Sequence, residues 1–111
     1  MTQAAPKPLR GAPMIVDTAT LVVQGTVIHL EGVEGEAGEP AKELARYIRG
    51  RSVSCEPVES GGGQHRCKLG DYDLGEAVLL NGAGRAAGNA SERLRGAEDR
   101  ARGLGRGIWR R

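Results

Sequence analysis

The hydrophobic pattern of the chain is organised around Thr20–Glu36, TLVVQGTVIHLEGVEGE, which reads as a hairpin followed by a turn. Gln24-Gly25 reads as a two-residue hairpin turn, which sets Val23 opposite Thr26 and Leu21 opposite Ile28. Side chains alternate along a strand, so Leu21, Val23, Ile28 and Leu30 share one face, assigned to the core. Thr20, Val22, Val27 and His29 take the other face, which turns His29 away from the core. Residues Met14–Thr18 supply a strand leading into this hairpin. The segment before them, MTQAAPKPLRGAP, is rich in Pro and Ala and reads as a linker over 1–13, with order expected from about Met14.

A glycine- and glutamate-rich loop over 32–38 separates the hairpin from a first helix at about Pro40–Arg49. Proline suits the first turn and Gly50 the stop, and Ala41, Leu44, Ala45 and Ile48 recur at helical spacing. Ser52–Val58 and Gln64–Leu69 then read as two strands flanking a Glu59–Gly63 loop. Centring the turn on Gly61 sets Cys55 opposite Cys67, Glu56 opposite Arg66 and Ser54 opposite Lys68. Val53, Cys55, Cys67 and Leu69 fall on one face, and His65 is placed off the cysteine-bearing face. Pro57 cannot donate to a ladder and points to an edge or a bulge. Asp73-Leu-Gly-Glu76 has capping-box spacing and opens a short helix through Leu80, ended by Gly82. Asn89-Ala-Ser-Glu92 is read as the cap of a last helix to about Gly103, with Ala90, Leu94, Ala97, Ala101 and Leu104 facing inward. Trp109 is expected to fold back as a terminal anchor.

Composition changes this picture in two ways. The chain has 111 residues, enough for one domain with a modest core. It contains 18 glycines and no phenylalanine, and Tyr47, Tyr72 and Trp109 are its aromatics, so the core must be aliphatic. The net charge of +2 is unevenly spread. Residues 91–111 hold seven arginines against Glu92, Glu98 and Asp99, a local charge of +4 that leaves −2 for the rest. Such a tail attracts nucleic acid or an anionic surface, or it is simply a solvated helix face. The sequence contains no apolar run of the ~18 residues a membrane span requires.

The candidate chemistry is sparse. Two cysteines without a compact Cys/His set make a poor zinc site. Directly opposed on a hairpin, Cys55 and Cys67 suit a disulfide worth about 3 kcal/mol through loop closure, which implies an oxidising compartment. The alternative is a pair of buried, reduced thiols. Neither His29 nor His65 has a Ser, Cys or Asp arrangement that makes a hydrolytic triad. Gly61–Gly63 has no following Lys-Ser/Thr and is not a phosphate loop. Glu31, Glu34 and Glu36 could ligate a hard cation such as calcium, although their spacing matches no calcium loop.

The order of elements, together with Thr20–Val33 (TLVVQGTVIHLEGV), Asp73–Gly82 (DLGEAVLLNG), Arg66-Cys67 and Ala97–Trp109 (AEDRARGLGRGIW), resembles the thermonuclease, or staphylococcal-nuclease-like, family. The resemblance implies an α+β, mainly β fold, a five-stranded OB-type Greek-key barrel with three helices, occupying residues 14–111 as a monomer. Enzymes of that family cleave phosphodiesters with calcium, an acidic metal site, a glutamate base and two arginines.

Carried over residue by residue, the family's first-strand acidic pair falls on Asp17 and Ala19. Its first arginine falls on His29, its loop aspartate on Glu34, its glutamate base on Ala37, with Glu36 in the place of the preceding proline. Its second arginine falls on Gly62. Asp17, Glu34 and Glu36 remain as candidate metal ligands. A one-residue slip in the loop would bring Glu36 to the base position. Arg66, Lys68 and Arg85 are candidate contacts to nucleic acid. Losing one donor to transition-state charge costs about 10²–10³ in rate, so the expectation is a catalytically degenerate, exported or membrane-tethered domain. It would act as a binding or structural module for a protein or other ligand. A calcium-dependent nuclease with residual activity and a nucleic-acid-binding module using the Arg-rich last helix are the alternatives.

Overall fold

A computed structural model describes residues 8–58 and 63–110. The chain is α+β, mainly sheet, with three helices. In order, the strands are β1 (Leu9–Gly11), β2 (Met14–Asp17), β3 (Thr20–Val23), β4 (Thr26–Leu30), β5 (Val33–Gly35), β6 (Val53–Pro57), β7 (Gln64–Leu69), β8 (Tyr72–Asp73) and β9 (Gly84–Ala86). The helices are α1 (Glu39–Ile48), α2 (Leu74–Leu80) and α3 (Glu92–Leu104), followed by a 3₁₀ turn at Gly107–Trp109.

The β3–β4 hairpin forms in the expected register, with Val23 opposite Thr26 and Leu21 opposite Ile28. Gln24 and Gly25 both take positive φ, 50° and 75°, the geometry that matches a tight turn to the strand twist. Leu21, Val23, Ile28 and Leu30 are buried, and His29 is exposed. The β6–β7 register is also as expected: Cys55 opposes Cys67, Glu56 opposes Arg66 and Ser54 opposes Lys68. Cys55 and Cys67 form a disulfide inside the core, with both residues fully buried. Residues 59–62 of the intervening loop, Gly61 and Gly62 included, lie outside the described residues.

The strands assemble as a seven-stranded sheet ordered β1-β6-β7-β4-β3-β2, with β8 against β7, and a separate two-stranded ladder β5-β9. A closed five-stranded barrel is not seen. β1 and β2, divided by Ala12 and Pro13, sit at opposite ends of the order. Pairing also starts earlier than Met14: Leu9, Arg10 and Gly11 lie opposite Cys55, Ser54 and Val53. Pro57 accordingly ends an interior strand, opposite His65 on one side and past the reach of β1 on the other. The joint between the two hairpins is parallel, His29 beside Gln64 and Leu30 beside His65.

Each helix buries an aliphatic stripe, α1 and α2 against this sheet and α3 against α2 and β9. In α1, Ala41, Leu44 and Ile48 are buried, whereas Ala45 is exposed; Arg49 closes the helix in the left-handed conformation. In α2, Asp73 caps the first turn by accepting from the Glu76 N–H at 2.8 Å. The Glu76 carboxylate does not complete a reciprocal box; it takes Arg93 at 2.7 Å and so ties α2 to α3. The cap of α3 is Ser91 rather than Asn89, its hydroxyl accepting from the Leu94 N–H. Leu94, Ala97 and Ala101 face the core, but Leu104, in the last turn, is exposed. Trp109 does fold back, half-buried between the guanidinium groups of Arg85 and Arg102, whose carbons lie 5.3 and 4.9 Å from its ring centre. His65 is buried on the same side as Cys67 and Leu69, correcting its placement off the cysteine face. A period of two leaves residues 65, 67 and 69 on one face.

Candidate functional site

Where the β2–β3 turn meets the end of β4, the start of β5 and the β9–α3 connection, the surface opens into a cleft of about 330 Å³. Its polar lining comes from Asp17, Thr20, His29, Gln64 and Asn89. Local structure fixes each of them. Asp17 stands at the register shift that ends β2, and its carboxylate accepts from the Ala19 N–H at 2.7 Å, closing a turn around Thr18. The Ala19 carbonyl then accepts from Leu30 N–H, which seats that turn over β4. Thr20 and His29 are cross-strand partners, with Thr20 Oγ1 3.4 Å from His29 Nδ1. The parallel joint brings Gln64 beside His29, and Gln64 Oε1 accepts from Asn89 Nδ2 at 3.3 Å. Gly32 allows the far wall to approach: a Cβ there would meet Leu94 Cδ1 at 2.7 Å and Ala90 Cα at 3.1 Å.

The residues singled out in the sequence divide into two groups. Asp17, Ala19 and His29 line the cleft. Glu34 does not: in the β5–β9 ladder Val33 is buried and Gly35 faces Asp17, so Glu34 between them projects to the opposite side, exposed and across from Arg85. Glu36 lies with its carboxylate 3.9 Å from Arg85 Nη1, and Ala37 is exposed. Gly62 falls outside the described residues. The candidate ligands Asp17, Glu34 and Glu36 are therefore not converged, and no group of three or more His, Cys, Asp or Glu side chains is placed for a metal among the described residues. Calcium, as the family resemblance implies it, does not fit this arrangement.

Two of the three cationic candidates, Arg66 and Arg85, are engaged elsewhere. Arg66 projects from the outer face of β7 and donates from Nε to Glu31 Oε1 at 2.8 Å. That hydrogen bond, reinforced by the Glu31 charge, holds the guanidinium above its already high range. Lys68 is exposed on the same face, opposite Ser54 and Asp73. Arg85 lies between Glu36 and the Trp109 ring. In the basic tail, Arg93 pairs with Glu76, Arg95 donates to the carbonyls of Gly88 and Ala90, and Arg106 to that of Leu80.

Sequence reasoning missed three residues that shape this region. Thr18, fully buried, donates its hydroxyl to the Ala83 carbonyl at 2.6 Å and accepts the Glu36 N–H at 2.8 Å. Gln64 and Asn89 enter through non-local contacts that no turn spacing announces. No protein-family model matches the chain, and a search of curated proteins returns no match.

Proposed function

We propose that this chain is a non-catalytic, staphylococcal-nuclease-like domain acting as a binding or structural module. Support for the likeness comes from the motifs over Thr20–Val33, Asp73–Gly82 and Ala97–Trp109 and from the hairpin–helix–hairpin–helix–helix order. An OB-type barrel is the finer reading: β1 and β2, consecutive in the chain, each hold one end of the sheet, and Gln24 of the β3–β4 turn donates from Nε2 to the Arg10 carbonyl of β1. The observation that carries the functional reading is the lining of the cleft. Its ionisable lining residues are Asp17 and His29, whereas phosphodiester cleavage needs fixed positive charge and a hard cation at the phosphate. Thr20, Gln64 and Asn89 instead offer neutral hydrogen-bonding groups. The buried disulfide is compatible with an extracytoplasmic setting, and we place the domain there, periplasmic, secreted or tethered to a membrane.

The decisive experiment incubates the protein with single-stranded DNA and calcium, with and without chelator. No cleavage above background is expected. Cleavage abolished both by chelator and by Glu34→Ala would overturn the reading in favour of a calcium-dependent nuclease. A low-salt titration of ¹⁵N-labelled protein with the same oligonucleotide covers the other alternative. Shifts along α3 that vanish steeply with salt would establish a nucleic-acid-binding module instead.

A further inference from the structure

Away from the cleft, a larger recess of about 530 Å³ separates α1 from α2. The two helices lie over the same sheet but scarcely touch one another. Leu44 of α1 and Val78 of α2, both buried, form the floor, and Tyr47 and Ile108 form apolar walls. On α1, Pro40, Glu43, Leu44 and Tyr47 follow helical spacing, so a single stripe supplies one side of the recess. That stripe is two turns long, roughly 10 Å, too short to seat a partner helix but suited to a compact molecule. The volume falls within the roughly 300–1,000 Å³ usual for small-molecule pockets.

The rim is charged, and unequally so. Glu39, Glu43 and Arg110 are its charged lining residues. Glu39 has Lys42 at 3.7 Å and Arg46 at 3.8 Å, and Arg110 Nε points to the Gly107 carbonyl at 3.4 Å. Glu43, exposed at the rim, has no ion-pair partner among the described residues. The recess therefore combines an apolar floor with a carboxylate that has no ion-pair partner among the described residues. Asn81 adds an amide on the α2 side, although its Nδ2 already donates to the Ala77 carbonyl.

We propose that this groove binds a small organic cation, an amine carried on a compact apolar or aromatic body. The body covers the exposed Tyr47 ring and the half-buried Ile108 and takes their surface out of water, over a floor that is already buried. The ammonium donates to the Glu43 carboxylate, a charge-assisted contact made at the groove mouth. An anion of the same shape would be repelled by the Glu43 carboxylate, and a neutral molecule would give that carboxylate no counter-charge.

The test uses 2-phenylethylamine as the probe, with 2-phenylethanol and 3-phenylpropionate as its neutral and anionic counterparts, followed by ¹⁵N–¹H shifts. The amine is expected to move resonances of residues 39–47, 77–83 and 107–110, and to do so at lower concentration than either counterpart. Glu43→Gln, at an exposed position, keeps the fold and should weaken amine binding about fivefold, the effect of one rim charge. Ala77→Leu, which narrows the groove, should weaken amine and alcohol together. The proposal is overturned if millimolar amine leaves these resonances unmoved, if alcohol or acid binds as well as the amine, or if Glu43→Gln binds the amine like the parent.

Discussion

Replacing Thr18 by valine tests whether one buried hydroxyl sets the geometry beside the cleft. The side chain has no exposed surface, donates to the Ala83 carbonyl at 2.6 Å and accepts the Glu36 N–H at 2.8 Å. Valine keeps the shape and removes both bonds. Each polar group left without its partner costs about 1–3 kcal/mol. Ala83 and Glu36 are only half-buried, so water recovers part of that cost. The expected loss is about 2–3 kcal/mol, roughly 10–15 °C in Tm for a domain near this size. Urea unfolding should show a lower midpoint with an unchanged slope, because the same surface is exposed on unfolding. Amide exchange supplies the local readout: Thr18→Val should deprotect the Glu36 N–H. Thr18→Ser retains the hydroxyl and loses one methyl, about 1 kcal/mol, and should leave that amide protected. Equal protection of Glu36 in Thr18→Val and the parent would refute the reasoning, as would a valine variant more stable than the serine one.

Two further predictions concern the staples of the fold. Gly107→Ala should undock the C-terminal turn: Gly107 has φ +53°, and a Cβ there would overlap the Gly82 carbonyl, which also accepts from the Ile108 N–H at 2.8 Å. A loss of at least about 2 kcal/mol is expected, with a red-shifted emission from Trp109, the chain's one tryptophan; an unchanged spectrum and midpoint would contradict it. Removing the disulfide with Cys55→Ala and Cys67→Ala should cost about 3 kcal/mol from loop closure alone. Intact mass should rise by two hydrogens on reduction, and two free thiols in the unreduced, denatured protein would refute the bond.

What the sequence made legible was local. Both hairpin registers follow from a turn and a count, so Leu21–Ile28 and Cys55–Cys67 could be paired without any tertiary knowledge. The Asp73 cap was equally readable, since its acceptor lies three residues from its donor. Non-local joints were not: β1 on β6, β5 on β9 and the parallel β4–β7 contact carry no turn signature. That is why Gln64 and Asn89 were missed at the cleft and why Leu9–Gly11 read as linker. Helical stripes were drawn too wide at Ala45 and Leu104, because spacing fixes a face and not how much of it a neighbouring element covers. Asn89 and Ser91 are both good caps, and only the geometry of the Leu94 N–H separates them.

The candidate site itself turns on parity. In β5 a carboxylate at position 35 would face Asp17, whereas one at 34 or 36 does not, and here 35 is glycine. A one-residue slip of this segment would reverse the assignment and carry Glu34 or Glu36 into the cleft. Two features oppose the slip. Pairing with β9 sets Glu34 across from Arg85 and holds Gly35 against Gly84, where a Cβ at position 84 would meet the Glu34 carbonyl at 2.8 Å. Thr18 then grips Glu36 from both sides, its N–H donating to the Glu36 carbonyl at 3.1 Å and its hydroxyl accepting the Glu36 N–H. Moving the segment by one residue would break both bonds and the Arg85 contact together, several kcal/mol by the same accounting as Thr18→Val. Residues 33–36 are thus locked in the register that turns Glu34 and Glu36 away from the cleft.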